Sequence, residues 1–206
     1  MSSTNKFHEC LICFKPLLNE APLLAQFFYQ DVICFKCRSQ LTIKAKRIKL
    51  HGYQVTTYYQ FNSFFQSCFY RYKYFYDEAL SEVFLGSIYQ RMLKDYRDYL
   101  IIYFPEANSY FHKAGFQPLS LILKPIGLPL ISVFDLVEPV DMGNKQSFKL
   151  RKNQKLVYQN KQLLLVTDLI SERGDIFLVA DLLAPHVKVI KVLGLALKSE
   201  IDLSII

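Results

Sequence analysis

The chain has 206 residues, 51% of them hydrophobic and 21% charged, with mean hydropathy +0.13. That length can bury a real core, and the composition excludes a disordered polymer. No run approaches the roughly 18 apolar residues of a membrane-spanning helix, and Met1–Lys6 lacks the apolar centre of a signal peptide, so a cytoplasmic protein is expected. The formal charge of +7 and a pI near 9.1 suit anionic partners: nucleic acid, an acidic membrane surface or phosphorylated ligands. Seventeen Phe and fourteen Tyr stand beside no Trp.

At the N-terminus, Cys10 and Cys13 form one C-x2-C pair ("CLIC") and Cys34 and Cys37 another ("CFKC"), twenty residues apart. Each pair turns back on itself, so that both of its sulfurs face one point. Two such pairs predict a closed, tetrahedral, structural zinc site. Disulfides are the alternative, disfavoured in a reducing compartment. Four thiolates on Zn²⁺ would carry a net −2. Cys68, among aromatics, reads as a buried free thiol. The expected division is a zinc-ribbon module over 1–45 and an α/β domain over 46–206.

Lys44–Lys49 ("KAKRIK") reads as a basic connector and Tyr53–Phe61 as a strand, from its β-branched and aromatic residues. Leu80, Val83, Phe84, Ile88, Met92 and Leu93 recur at helical spacing, with an earlier helix over Ser63–Tyr72. Asp98–Pro105 is a short buried strand. Prolines 118, 125, 129 and 139 break the next segment into a helix near Leu119–Leu123 and a strand at Leu130–Leu136. Asn144–Lys155 is polar, basic and without an acid, and reads as an exposed loop or a loop with one helical turn. "QLLLVTD" is a buried strand of parallel type, "DIFLVADLLAP" a helix stopped by Pro185, and "VKVIKVLGLAL" a last strand. The alternation from about residue 98 predicts an α/β sheet with mainly parallel strands.

After the strand, "LLLVTDLISERGD" (Leu163–Asp175) sets a polar loop ahead of a helix, where the N-terminal N–H groups could face an anion. This segment resembles the phosphoribosyl-pyrophosphate loop of type I phosphoribosyltransferases. A four-cysteine ribbon ahead of such a domain resembles the competence protein ComF family, of ComFC type. "YRYKYFYDEAL" (Tyr70–Leu80), "FPEANSYFHKAGFQ" (Phe104–Gln117) and "KQSFKLRKN" (Lys145–Asn153) are similar to further segments of that family, in the same order. The resemblance implies a type I phosphoribosyltransferase-like domain with a mainly parallel sheet. It also implies work beside a membrane channel and a helicase-like ATPase that draw single-stranded DNA inward during natural transformation.

The loop departs from the family pattern. Two adjacent acids are usual; here Thr167 takes the place of the first and only Asp168 remains. The small-residue phosphate cradle becomes Ser171, Glu172, Arg173, Gly174 and Asp175. A backbone cradle needs small residues so that N–H groups can approach the phosphate. Asp175 sets a negative charge there, worth about 4 kcal/mol of repulsion at 4 Å and an effective dielectric near 20. Ala114 stands where the family has Arg, and Gln117-Pro118 replaces Asn-Gln. The degenerate loop therefore predicts no catalytic residues, no bound Mg²⁺ and no phosphoribosyl pyrophosphate, with retained weak anion binding still open. The alternative function is a phosphoribosyltransferase acting on a nucleobase. His8, His51, His112 and His186 are scattered and form no catalytic set.

Two stretches mix cations with rings: Arg71, Tyr72 and Lys73 among tyrosines, and Lys149, Arg151 and Lys152 around Phe148. Single-strand binders combine such cations with stacking platforms, so these residues are candidates for single-stranded DNA.

Overall fold

The computed structural model describes residues 9–17, 31–86, 88–106, 108–141, 146–152, 154–171 and 174–198. The C-x2-C turn at Cys10 leads, beyond the undescribed stretch, to helix α1 (Phe35–Gln40), which starts immediately after Cys34. Next come antiparallel strands β1 (Ile43–Leu50) and β2 (Tyr53–Tyr59). Their two-residue turn, His51-Gly52, has positive φ at both positions (51° and 83°), the conformation that matches the twist of a tight hairpin. The stretch Lys44–Lys49 therefore lies within an edge strand instead of a connector. Its lysines and Arg47 suit a strand whose outward side chains stay in water. β1 also runs across the expected boundary at 45/46.

Helix α2 (Ser63–Tyr74) is capped by Asn62, whose side chain accepts from the Phe65 N–H at 2.7 Å. Beyond a 3₁₀ turn (Glu78–Leu80), the helix expected over residues 80–93 is two: α3 (Ser81–Gly86) and α4 (Tyr89–Tyr96). The interruption follows Gly86, a poor helix former. β3 (Leu100–Tyr103), α5 (Asn108–Ala114) and α6 (Pro118–Leu123) follow, the last beginning with Pro at its first position. The strand expected over Leu130–Leu136 is only β4 (Leu130–Ser132), because Ser132 caps a short helix α7 (Val133–Leu136) by accepting from the Phe134 N–H. β5 (Val137–Asp141) and β6 (Gln146–Leu150) form a separate antiparallel pair. The region expected as a loop over Asn144–Lys155 is thus partly a strand, followed by the turn of helix α8 (Lys155–Tyr158). β7 (Gln162–Ile170), α9 (Asp175–Leu183) and β8 (Val189–Leu197) are the last elements among the described residues.

The main sheet has the order β1-β2-β8-β7-β3-β4, parallel throughout except at the β1 edge. The α/β architecture with a mainly parallel sheet is as the alternation predicted. β7 is buried on both faces. Leu164 and Val166 join one apolar cluster, with the rings of α2 and α3; Leu163 and Leu165 join the other, against α9. Gly194 on β8 lies opposite Thr167, and a Cβ there would meet Ile170 at 2.5 Å, so only glycine lets the two strands close at this point. Cys10, Leu17, Ile33, Cys34, Cys37 and Leu41 belong to the same cluster as Phe65 and Phe84. The cysteine module thus shares a core with the sheet domain. No helix among the described residues is long and apolar enough to cross a membrane.

Candidate functional site

The four cysteines converge. Cys10, Cys13, Cys34 and Cys37 bring their sulfurs within 4.8 Å of one another, with Cys13 Sγ and Cys34 Sγ 3.7 Å apart. Zn–S bonds near 2.3 Å in a tetrahedron place sulfurs about 3.8 Å apart, so the donor set fits such an ion. The N–H groups of Ile12 and Cys13 approach Cys10 Sγ at 3.4 and 3.5 Å, as a turn that cradles a thiolate requires. Phe14 adopts φ 60°, with its N–H donating to Cys10 O at 2.8 Å, and this closes the turn. Four cysteine donors would leave no open position for substrate, the arrangement of a structural metal site. Cys68 is buried and lies outside the cluster. Burial pushes its thiol up to about 11, so it remains protonated.

Arg71, expected to meet nucleic acid, instead ties this module to α2. Its guanidinium donates to Ile12 O at 2.8 Å, pairs with Asp77 at 2.6 Å and lies over the Phe14 ring at 5.5 Å. Tyr72 is fully buried, and its hydroxyl donates to Pro118 O at 2.6 Å. Its ring presents no face to a base, which corrects its expected role as a stacking platform. The exposed rings of this helix end are its neighbours Tyr70, Tyr74, Phe75 and Tyr76, with Tyr70 and Tyr74 centroids 4.7 Å apart.

Lys73 points into the sheet's strand-end crevice. From β3 the chain moves outward to β4, then returns to β7 on the other side of β3 and continues to β8. The reversal opens a crevice beyond the carboxyl ends of β3 and β7, the position where open α/β sheets bind ligands. Asp168 lies there near the end of β7, and Glu106 follows β3. The Lys73 ammonium bonds both Asp168 Oδ2 and Glu106 Oε1. The other Asp168 oxygen accepts from the Leu169 N–H at 2.7 Å, and the Thr167 hydroxyl is 3.4 Å from it. Gln117 brackets the Glu106 backbone, accepting from its N–H at 2.9 Å and donating to its carbonyl at 3.3 Å. The Tyr110 hydroxyl donates to Lys73 O at 2.7 Å. Burial works to lower the Lys73 pKa, but Asp168 and Glu106 outweigh it and hold the ammonium above the ordinary lysine value.

Strand pairing continues to Ile170, and the Gly174 N–H donates to Ser171 O at 3.2 Å. Gly174 caps α9 at φ −71°, ψ 138°, a conformation open to any residue, although a Cβ would press on Ser171 at 3.3 Å. Asp175 opens α9 half-buried, and burial raises its carboxyl pKa. Glu172 and Arg173 lie outside the described residues. The structure thus gathers Lys73, Asp168 and Thr167 at one crevice and sets Ser171, Gly174 and Asp175 at the loop beside it.

Lys149, Arg151 and Lys152 belong to the β5–β6 pair and its exit. The expectation of cations without an acid is corrected here. Glu138, across the pair on β5, meets Lys149 at 3.1 Å and Arg151 at 3.6 Å, and Arg151 Nε donates to Phe134 O at 2.8 Å. Both ion pairs are well exposed and correspondingly weak. Lys152 is exposed.

Sequence reasoning missed Glu106. The signal was present: Tyr70–Leu80, Phe104–Gln117 and Leu163–Asp175, three segments singled out separately, each contribute one charged group to this crevice.

No family model matches the sequence, and no curated protein matches it. Among solved structures, the chain is similar to a hypoxanthine phosphoribosyl transferase of Trypanosoma cruzi, at 14% identity and a TM-score of 0.39, covering 62% of this chain and 71% of that one.

Proposed function

We propose that this protein is a non-catalytic, phosphoribosyltransferase-like competence protein of ComF type. In this reading it is cytoplasmic, carries one structural zinc on Cys10, Cys13, Cys34 and Cys37, and assists uptake of single-stranded DNA by binding the strand, the uptake ATPase, or both. The observation that carries the reading is the closed crevice. Lys73, the cation best placed to receive an anion, is already bonded to Asp168 and Glu106. One ammonium against two carboxylates leaves the crevice with net charge −1. A pyrophosphate entering it meets repulsion, and the loop beside it adds Asp175.

DNA contact is assigned to exposed groups instead. Tyr70, Tyr74 and Phe75 offer ring faces at the end of α2, and Lys149, Arg151 and Lys152 offer cations on the β5–β6 pair. Stacking of this kind is sequence-tolerant and worth roughly 1–3 kcal/mol per base. The test is fluorescence anisotropy of labelled oligothymidylate across a salt series. Micromolar or weaker binding is expected, with log affinity falling by about 0.7 per phosphate neutralised for each unit of log salt. Replacing Lys149, Arg151 and Lys152 together by Ala should flatten that slope by about two units. Tyr74→Ala should lower affinity at unchanged slope. Absence of binding at low salt would reject the DNA assignment and leave docking on the uptake ATPase as the role.

A further inference from the structure

Between the β1–β2 hairpin and α4 lies a cavity of about 610 Å³, walled by Arg47, Thr56, Tyr58, Arg91, Lys94 and Asp95 among others, and sharing no residue with the Lys73 crevice. Its volume is within the usual range for small-molecule sites. Tyr58 is fully buried, and its hydroxyl has no hydrogen-bond partner among the described residues. A buried O–H without an acceptor is costly and rare, and although this one is sealed beneath the cavity floor with no surface open to solvent, it is the group there that gains most from an acceptor brought in from outside the chain. Thr56, also buried, accepts from the Tyr96 hydroxyl at 3.0 Å and keeps its own proton to donate.

The charges around these two hydroxyls have one sign in excess. Arg47 pairs with Asp95 at 2.8 Å. Arg91 and Lys94, three residues apart on α4 and so on one face, are exposed and have no ion pair among the described residues. Three cations against one carboxylate give a balance of +2. Burial, reinforced by Tyr96 and Asp95, pushes the Tyr58 phenol above its ordinary pKa, while Arg91 and Arg47 act in the opposite direction. The group therefore stays a hydrogen-bond donor at physiological pH.

We propose that this cavity is a second binding site, for the phosphate of a small phosphorylated molecule, held by Arg91 and Lys94 and by the hydroxyls of Tyr58 and Thr56. A phosphomonoester carries about −1.5 to −2 at neutral pH and three acceptor oxygens, which match the charge balance and the donors. A backbone phosphodiester, with one negative charge, matches neither as well. The remaining volume accommodates the group that bears the phosphate.

Isothermal titration of the metal-loaded full chain tests this with inorganic phosphate, adenosine 5′-monophosphate, adenosine, and oligothymidylate lacking a terminal phosphate. The two monoanionic-to-dianionic phosphates should bind saturably and adenosine should not. Arg91→Ala with Lys94→Ala should weaken adenosine monophosphate about tenfold or more. Tyr58→Phe should weaken it about three- to tenfold while leaving the melting temperature of the free protein unchanged or higher, because the hydroxyl has no internal partner to lose. Lys73→Ala should leave this binding intact. Four results would each overturn the proposal: no saturable phosphate binding, equal affinity for adenosine monophosphate in the double variant, an equal loss of oligothymidylate affinity in the double variant, or a lower melting temperature in free Tyr58→Phe.

Discussion

The cysteine module and the strand-end crevice are both assembled from short motifs far apart in sequence, yet they differ in whether their groups remain free to bind. At the first, four cysteine sulfurs converge within 4.8 Å, and Arg71 braces the turn. At the second, the fold still delivers Lys73, Asp168 and Glu106 to the ligand position of an open sheet, but the groups satisfy one another. A metal site fails when one ligand is lost, whereas a crevice can keep its shape while its charges turn inward. The difference teaches that position in a fold and capacity to bind are separate properties.

The comparison breaks most visibly at the metal. Cys34→Ser, or exhaustive chelation, should remove one zinc per chain by elemental analysis and cost more than about 5 kcal/mol of folding stability, because metal binding supplies folding free energy. The loss should extend beyond the ribbon, since Cys34 and Cys37 pack in the cluster that contains Phe65 and Phe84. An unchanged melt with no metal lost would show that the cysteines are an ordinary apolar wall.

Lys73→Met sharpens the second half. It strands two carboxylates, Asp168 and Glu106, each still partly solvated, so a cost of about 2 kcal/mol in chemical denaturation is expected, below that of a fully buried pair. The pH dependence has a definite sign. Lys73 has a folded pKa above its ordinary 10.5, so its contribution is complete below pH 10.5 and is lost as pH rises through the folded value. The stability gap between wild type and Lys73→Met should therefore be constant at neutral pH and narrow in strong alkali. A gap absent at neutral pH would mean the crevice is not closed by this lysine.

Smaller still is the pair of tyrosines that the sequence does not separate. Tyr72→Phe removes a buried hydrogen bond to Pro118 O and should cost about 1 kcal/mol while leaving DNA affinity unchanged. Tyr74→Ala should do the reverse. If both variants change DNA affinity equally, the assignment of stacking to the exposed rings is wrong.

How much was legible follows from what each feature needs. The C-x2-C pairs are local and their geometry is fixed by the turn, so Cys10, Cys13, Cys34 and Cys37 were readable from spacing alone. β7 and β8 were readable because a strand segment buried on both faces must be apolar, as Leu163–Val166 and Val192–Ala196 are. Lys44–Lys49 was not, because an edge strand tolerates charge and resembles a linker. Tyr70, Tyr72 and Tyr74 look alike in sequence, where helical spacing predicts only that about half of such rings are buried, and the packing of α2 against Pro118 decides which is inside. Glu138 was invisible as a partner of Lys149 and Arg151, since the neutralising acid comes from the facing strand. Glu106 required the strand order, because its meeting with Lys73 and Asp168 spans three segments.

The closed crevice is tested most directly by phosphoribosyl transfer itself. Purified, metal-loaded protein is mixed with Mg²⁺, phosphoribosyl pyrophosphate and each common nucleobase, and pyrophosphate release is followed against a protein-free control and against Asp168→Ala. Release at the background rate in every mixture is the predicted result. Release that requires Mg²⁺ and disappears in Asp168→Ala would contradict it, and would show that Lys73 yields its two carboxylates to a substrate.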